Sequence, residues 1–259
     1  MIRTLLVSLM ISIIIPLIGI VIVNRGTSMM GDALSHVSLA GVALGLILSI
    51  NPLIGAIFAC VIGAFSIEKI RKKFPQFGDM ATAIITSMGL GLAALLSDFS
   101  PGGSSFDAYL FGSIASVSKA DLIIVLITFI LVVAISLIYY FGLLSIAVVP
   151  QLAKMSGVNV RRINSIFTLL SALTIALSAK IIGALMVTSL IVLPVASSLL
   201  ISKSYKATFL NTLVLGVLYT LSGVILSYYF DLKPGGAIVV IASLSMLVCL
   251  LISKLKSKK

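Results

Sequence analysis

Asp32 and His36 are the two side chains in this sequence whose types and spacing point most directly to chemistry. His36 is the single histidine, and Asp32 is one of seven acidic residues in a chain of 259. Positions four apart on a helix stand one above the other on the same face. A carboxylate oxygen and an imidazole nitrogen placed this way make half of a metal-binding shell, because zinc is normally held by three or four N, S or O donors. The pair lies within Thr27 to Leu46, TSMMGDALSHVSLAGVALGL, in a strongly apolar region. Ionisable groups at membrane depth are costly, which makes them functional candidates by default. Two other uses of the pair stand beside metal binding: a local hydrogen bond that steadies the helix, and a proton relay.

The residues around the pair are small. Gly31, Ser35, Ser38, Gly41 and Gly45 recur at intervals of three and four, the spacing of a helical stripe that lets two membrane helices approach closely. The stripe therefore predicts that Asp32 and His36 sit where helices meet. One copy of the chain supplies only two good ligands there. A two-fold dimer would double the set, since a symmetric interface presents the same patch twice, and a sparse ligand set suits a site that must release what it binds. Imidazole binds metal only when neutral, so occupancy is expected to fall as the pH drops below about 6.

The elements that must position these residues are membrane helices. Hydrophobic residues make up 60% of the chain and charged ones only 10%, and the mean hydropathy is +1.29. A soluble domain would be about 25% charged. The net charge of +11 does not imply nucleic-acid binding, because Lys and Arg cluster at the ends of apolar runs instead of covering one face. Cys60 and Cys249 each fall within an apolar run, without CxxC spacing, and read as small buried residues. Apolar segments fall at about 5–23, 28–49, 52–68, 79–97, 121–141, 164–180, 181–202, 207–229 and 236–253. A span takes ~20 residues, so 52–68 and 164–180 are marginal. The first segment is too long, and too poorly followed by small residues, for a cleaved signal peptide. Beyond Asp32 and His36, no further membrane-embedded acids are expected to pair.

Loop charge predicts the sides. Lys69, Arg71, Lys72 and Lys73, then Lys154, Arg161 and Arg162, then Lys203 and Lys206, and finally the KLKSKK tail are expected in the cytoplasm. The loop from Asp98 to Asp107 has no basic residue and is expected outside. The expectation is a single all-α polytopic membrane domain over 1–259 with eight or nine transmembrane helices. Eight results if 28–68 makes one broken crossing, which Gly31, Asn51-Pro52 and Gly55 would permit. Tyr109 to Ser118 is too short to cross and is expected at or dipping into the outer surface. About 145–163 forms a cytoplasmic segment of mixed polarity, with Pro150 opening and Gly157 closing a short helix. Gln151, Leu152, Ala153, Lys154 and Met155 would form that helix and suit docking to a partner protein, the alternative being a plain surface loop.

With these residues in view, the chain resembles the permease subunit of the ABC importers for zinc, manganese and iron. The resemblance rests on Gly31-Asp32-Ala33-Leu34-Ser35-His36 with Gly41-Val42-Ala43, on Tyr109-Leu110-Phe111-Gly112-Ser113-Ile114, and on Gly183 to Val187 running to Leu193-Pro194. SHVSLAGVA and YLFGSI resemble the zinc branch more closely than the manganese branch. The resemblance implies the importer permease fold and a homodimer in a bacterial cell membrane. It also implies two cytoplasmic ATPase subunits, an extracytoplasmic metal-binding protein, and no permanently bound cofactor. It implies a metal gate that includes Asp32 and His36, and a coupling segment over Pro150 to Gly157. Where relatives often have Phe-Asp before that segment, this chain has Val148-Val149. The absence of GxxxxGK[ST] means that ATP hydrolysis must come from elsewhere. A secondary transporter or channel using Asp32 and His36 as a relay is the reading from a different class.

Overall fold

A computed structural model describes residues 2–99, 108–112, 118–148, 155–156 and 159–257. The long elements among them are α1 (Ile2–Asn24), α2 (Met29–Ile47), α3 (Pro52–Lys73), α4 (Gly78–Ser97), α5 (Lys119–Ile138), α6 (Tyr140–Val148), α7 (Val160–Ile182), α8 (Ala184–Ile201), α9 (Tyr205–Phe230) and α10 (Pro234–Ser257). A 3-10 turn at Pro75–Phe77 and one helical turn at 108–111 complete them. Helices satisfy their own backbone polar groups, the condition for crossing a bilayer. Among the described residues nine helices are long and apolar enough to cross, and nine-residue α6 is not one of them.

Nine is the higher of the two expected counts, and α2 and α3 decide it. They are separate helices of 19 and 22 residues, so 28–68 passes twice. Between them Ser49 takes a left-handed conformation, and the Asn51 side chain accepts from the Leu53 N–H at 3.0 Å. Pro52 fills the first turn of α3, where a missing N–H costs nothing. The segment expected as marginal at 164–180 is a full helix, α7, of 23 residues. Asn159 caps it by accepting from the Arg162 N–H at 3.1 Å, which carries the helix back beyond Arg161 and Arg162. Tyr140–Val148 is helical too, so the expected mixed segment from about 145 begins as helix. Pro150, Gln151, Leu152, Ala153, Lys154 and Gly157 lie outside the described residues, as does Val149. Met155 is described and is 83% exposed. The Asp98–Asp107 loop and the 113–117 part of the YLFGSI stretch also fall mainly or wholly outside.

The interior is one continuous apolar cluster drawn from every long helix. α1, α2 and α7 are its most enclosed members, whereas α4, α5 and α10 turn most of their surface outward. Both cysteines are buried as expected. One end of the bundle gathers the turn after α1, the end of α3 and the start of α7: Arg25 donates to the Asn164 amide oxygen at 2.8 Å, and Thr168 donates to Glu68 at 3.0 Å. The other end gathers the turn at 108–111, the start of α5 and the junction of α7 with α8. There Gly183 has a φ of 93°, and a Cβ on it would stand 2.6 Å from the Leu110 oxygen and the Gly112 nitrogen. Only glycine permits both that backbone and that approach.

This second end holds a correction to the sequence reading. Asp121 does pair, with Lys180 of α7, at 2.5 Å. The two side chains are only 3% and 11% exposed. Asp121 also completes a capping box at the start of α5, accepting from the Ser118 N–H at 2.8 Å while its own N–H donates to the Ser118 hydroxyl at 3.1 Å. Tyr109 and Phe111 close the cluster, with the ammonium groups of Lys180 and Lys233 over their rings at 5.8 and 3.6 Å. Burial and then the charge of Asp121 push the Tyr109 phenol up to about 12. Removing one partner of a buried pair strands the other charge, at about 3–5 kcal/mol. Asp121→Ala is therefore expected to lower the thermal unfolding midpoint in detergent sharply, and Lys180→Ala, Asp121→Ala together to cost less than the sum of the single changes.

Candidate functional site

α2 carries Asp32 in its first turn and His36 one turn on. His36 Nε2 stands 3.7 Å from Asp32 Oδ1, beyond hydrogen-bond range, so the pair is close but not locked together. Asp32 is 45% exposed and His36 14%. His36 Nδ1 is buried without a hydrogen-bond partner, an arrangement that calls for a ligand, a water or a function. Met29, on the same face one turn before Asp32, is 64% exposed. The face that carries the two donors is thus open in a single copy.

Neighbouring helices fix the depth of the pair. Gly89, midway along α4, packs where a Cβ would meet the Val37 nitrogen at 2.8 Å and the His36 carbonyl carbon at 3.1 Å. Gly63 of α3 lies under the Val37 side chain. Since Gly89 is the twelfth of twenty residues in α4, His36 lies level with the middle of that helix. The expected stripe of small residues serves two neighbours. Gly31 lies against Thr188 and Ile191 of α8, whereas Gly41 and Gly45 lie against Gly55, Ala59 and Pro52 of α3. Ser35 and Ser38 are buried between. Ser35 donates to the Asp32 carbonyl at 2.8 Å, the Ser38 hydroxyl has no partner, and the Cys60 thiol donates to the Leu34 carbonyl at 3.3 Å.

Among the described residues no three His, Cys, Asp or Glu side chains converge as a metal shell would require. The large groove of about 450 Å³ between α2, α3 and α4 is lined by Val37, Leu44, Phe58, Ile62, Met88 and other apolar groups, so it offers a cation nothing. Sequence reasoning missed Lys180 with Asp121, since the partners are 59 residues apart and each read as the end of an apolar run. It also missed Met29, whose exposure depends on which neighbours flank α2.

Among the described residues the chain is a bundle with nine helices long and apolar enough to cross a membrane, and α2 presents Asp32 in its first turn with His36 one turn on. The chain belongs to the ABC 3 transport family, whose model matches residues 1–253. As the membrane component it is the non-catalytic subunit. It is 34% identical to the "Probable metal transport system membrane protein" of Treponema pallidum, over 94% of this chain and 92% of that one. It is 32% identical to the "High-affinity zinc uptake system membrane protein ZnuB" of Haemophilus influenzae, over 91% of each. With the "Manganese import system permease protein ScaB" of Streptococcus gordonii it shares 30% identity, over 97% of this chain and 90% of that one. The solved structure "PsaBC from Streptococcus pneumoniae in complex with Fab" superposes with a TM-score of 0.85 at 27% identity, covering 95% of this chain and 89% of that one. Relatives named for zinc and for manganese stand at similar identity, so the expected preference for the zinc branch is not distinguished.

Gly89 gives a test of the site that touches neither donor. Gly89→Val would push against the backbone at His36 and Val37, and overpacking of this kind costs about 1–3 kcal/mol. The expected outcome is an assembled protein whose metal transport is at least about tenfold lower, read by uptake at matched protein level, with Gly91→Val, at a glycine that meets nothing within 4 Å, as the unaffected control.

Proposed function

We propose that this chain is the membrane permease of an ATP-driven importer of divalent transition metal, with zinc as the favoured cargo and Asp32 and His36 as the gate. The observation that carries this reading is the Asp32–His36 pair, 3.7 Å apart over the first two turns of α2, with a half-exposed carboxylate and an unpartnered ring nitrogen. Imidazole with carboxylate is a donor set that suits zinc. The names of the Haemophilus and Streptococcus relatives, one for zinc and one for manganese, support metal as the cargo class. Manganese is the second reading, favoured by the relatives named for it.

In this proposal two copies face each other across a two-fold axis and bring four donors together. Cytoplasmic ATPase subunits drive exposure of that shell first to one side and then to the other, and an extracytoplasmic binding protein delivers the metal. Pro150 to Gly157 is the segment proposed to meet the ATPase. The end of the bundle with Arg25, Lys69, Arg71, Lys72, Lys73, Arg161, Arg162, Lys203 and Lys206 is assigned to the cytoplasm of a bacterial cell by the positive-inside rule. With nine crossings the C-terminus is then cytoplasmic and the N-terminus outside. Two donors per copy hold the ion weakly enough to let it leave once the copies separate.

The test is radiometal uptake into proteoliposomes that contain the chain, a candidate ATPase and its binding protein. ATP-dependent zinc uptake that falls at least about tenfold in His36→Ala, and further in Asp32→Ala with His36→Ala, is the expected outcome. Uptake undiminished in the double variant would remove the gate. Transport of manganese in preference to zinc would select the second reading, and uptake without the ATPase would make the chain a channel or secondary carrier.

A further inference from the structure

Arg25, in the turn between α1 and α2, and Arg71, in the last turn of α3, line a cavity of about 460 Å³ at the basic end of the bundle. The charges around it do not cancel. Glu68 is already engaged, pairing with Lys72 at 2.5 Å and accepting from the Thr168 hydroxyl at 3.0 Å. Arg25 has neutral partners: it donates to the Asn164 amide oxygen at 2.8 Å, and its guanidinium lies 5.0 Å from the centre of the Phe167 ring. Among the described residues neither Arg25 nor Arg71 has a carboxylate within ion-pair distance. Burial, and then the nearby charge of Arg71, lowers the pKa of Arg25, while Glu68 opposes the change. Two guanidinium groups are therefore held near one another, one of them half-buried, with open space between the helices that carry them.

We propose that this cavity binds a phosphate group, with Arg25 and Arg71 as its ligands. Guanidinium presents a planar fork of donors that matches phosphate oxygens two at a time, and a phosphate offers enough oxygens for both forks. The anion adds to the partial relief that Glu68 gives the two arginines, and unlike Glu68 it is not held by Lys72 and Thr168. Met30, Ile67 and Phe167 line the same cavity, an apolar wall that an acyl-bearing phosphate tolerates. The phosphate is supplied either by an anionic phospholipid headgroup, since basic pockets between membrane helices recognise such groups, or by free phosphate. Bound there, it fixes the turn from which α2 starts, seven residues before Asp32. It also lowers the positive potential at this end of the bundle. Binding itself does not depend on which metal, if any, the chain carries.

The experiment uses the full-length chain in nanodiscs of phosphatidylcholine with or without phosphatidylglycerol, and in detergent with or without inorganic phosphate. Bound phosphatidylglycerol is read by native mass spectrometry, and inorganic phosphate by its shift of the thermal midpoint. The expected result is retention of phosphatidylglycerol, or a phosphate-dependent shift, that weakens about tenfold in R25Q/R71Q. K203Q/K206Q, in another loop at the same end, retains wild-type binding. Arg71→Lys keeps the charge but loses the fork, so it guards against a folding defect and is expected to weaken binding several-fold by itself. Lipid retained through a phosphate wash identifies the headgroup as the source, and displacement of that lipid by phosphate identifies the free anion. Absence of both signals in the wild type would overturn the proposal, as would equal binding in all variants or an equal loss in K203Q/K206Q. Competition by added ATPase, but not by phosphate or lipid, would also overturn it and give the cavity to a protein carboxylate.

Discussion

α2 holds its place among α3, α4 and α8 because side chains are missing where backbones meet. Gly41 faces Gly55, Gly45 faces Pro52, Gly89 faces the backbone at His36 and Val37, and Gly31 faces Ile191. In lipid there is no hydrophobic force to drive helices together, so close packing of this kind and polar contacts between helices must hold the bundle. Filling Gly41, Gly45 or Gly89, each of which meets backbone within 3 Å, would move α2 relative to its neighbours, whereas at Gly31 the tip of the Ile191 side chain is met first. The depth and direction of Asp32 and His36 therefore follow from contacts made on other faces of the same helix.

The bundle treats its two sets of embedded ionisable groups in opposite ways. Lys180 and Asp121 are in contact, closed off, and tied further by Ser118 into the cap of α5. All of these contacts fall on Asp121 Oδ2, while Oδ1 is buried without a hydrogen-bond partner, and the cluster clamps the 108–111 turn against the junction of α7 and α8. Asp32 and His36 stand apart, with an unpartnered ring nitrogen and a half-exposed carboxylate. A buried pair in contact offsets part of its desolvation and serves structure, whereas ionisable groups that stand apart in a membrane bundle are candidates for function.

Charge also distinguishes the two ends. The end near Arg25 is crowded with cations, and among the described residues Glu68 is the one carboxylate there in an ion pair. The other end mixes acids with bases and uses them to fasten loops. This asymmetry is the physical content of the orientation proposed from loop charge.

The class of fold, the approximate position of nine apolar segments and the family were legible in the order of residues alone, and Asp32 and His36 stood out there as a candidate pair. These follow from composition, from hydropathy over runs of about twenty residues, and from local spacing along one helix, all of which are properties of neighbours in the chain. The sequence left eight and nine crossings open, because Asn51-Pro52 reads equally as a break or a turn until the packing of α2 on α3 is known. It also placed the start of α7 too late, since Arg161 and Arg162 lower local hydropathy without preventing a helix capped by Asn159. Only the tertiary structure decided that Asp121 meets Lys180, that one stripe of small residues serves both α3 and α8, and that Arg25 and Arg71 share a cavity. Each of these joins residues from different helices, and no periodicity in a single helix encodes which neighbour it will face.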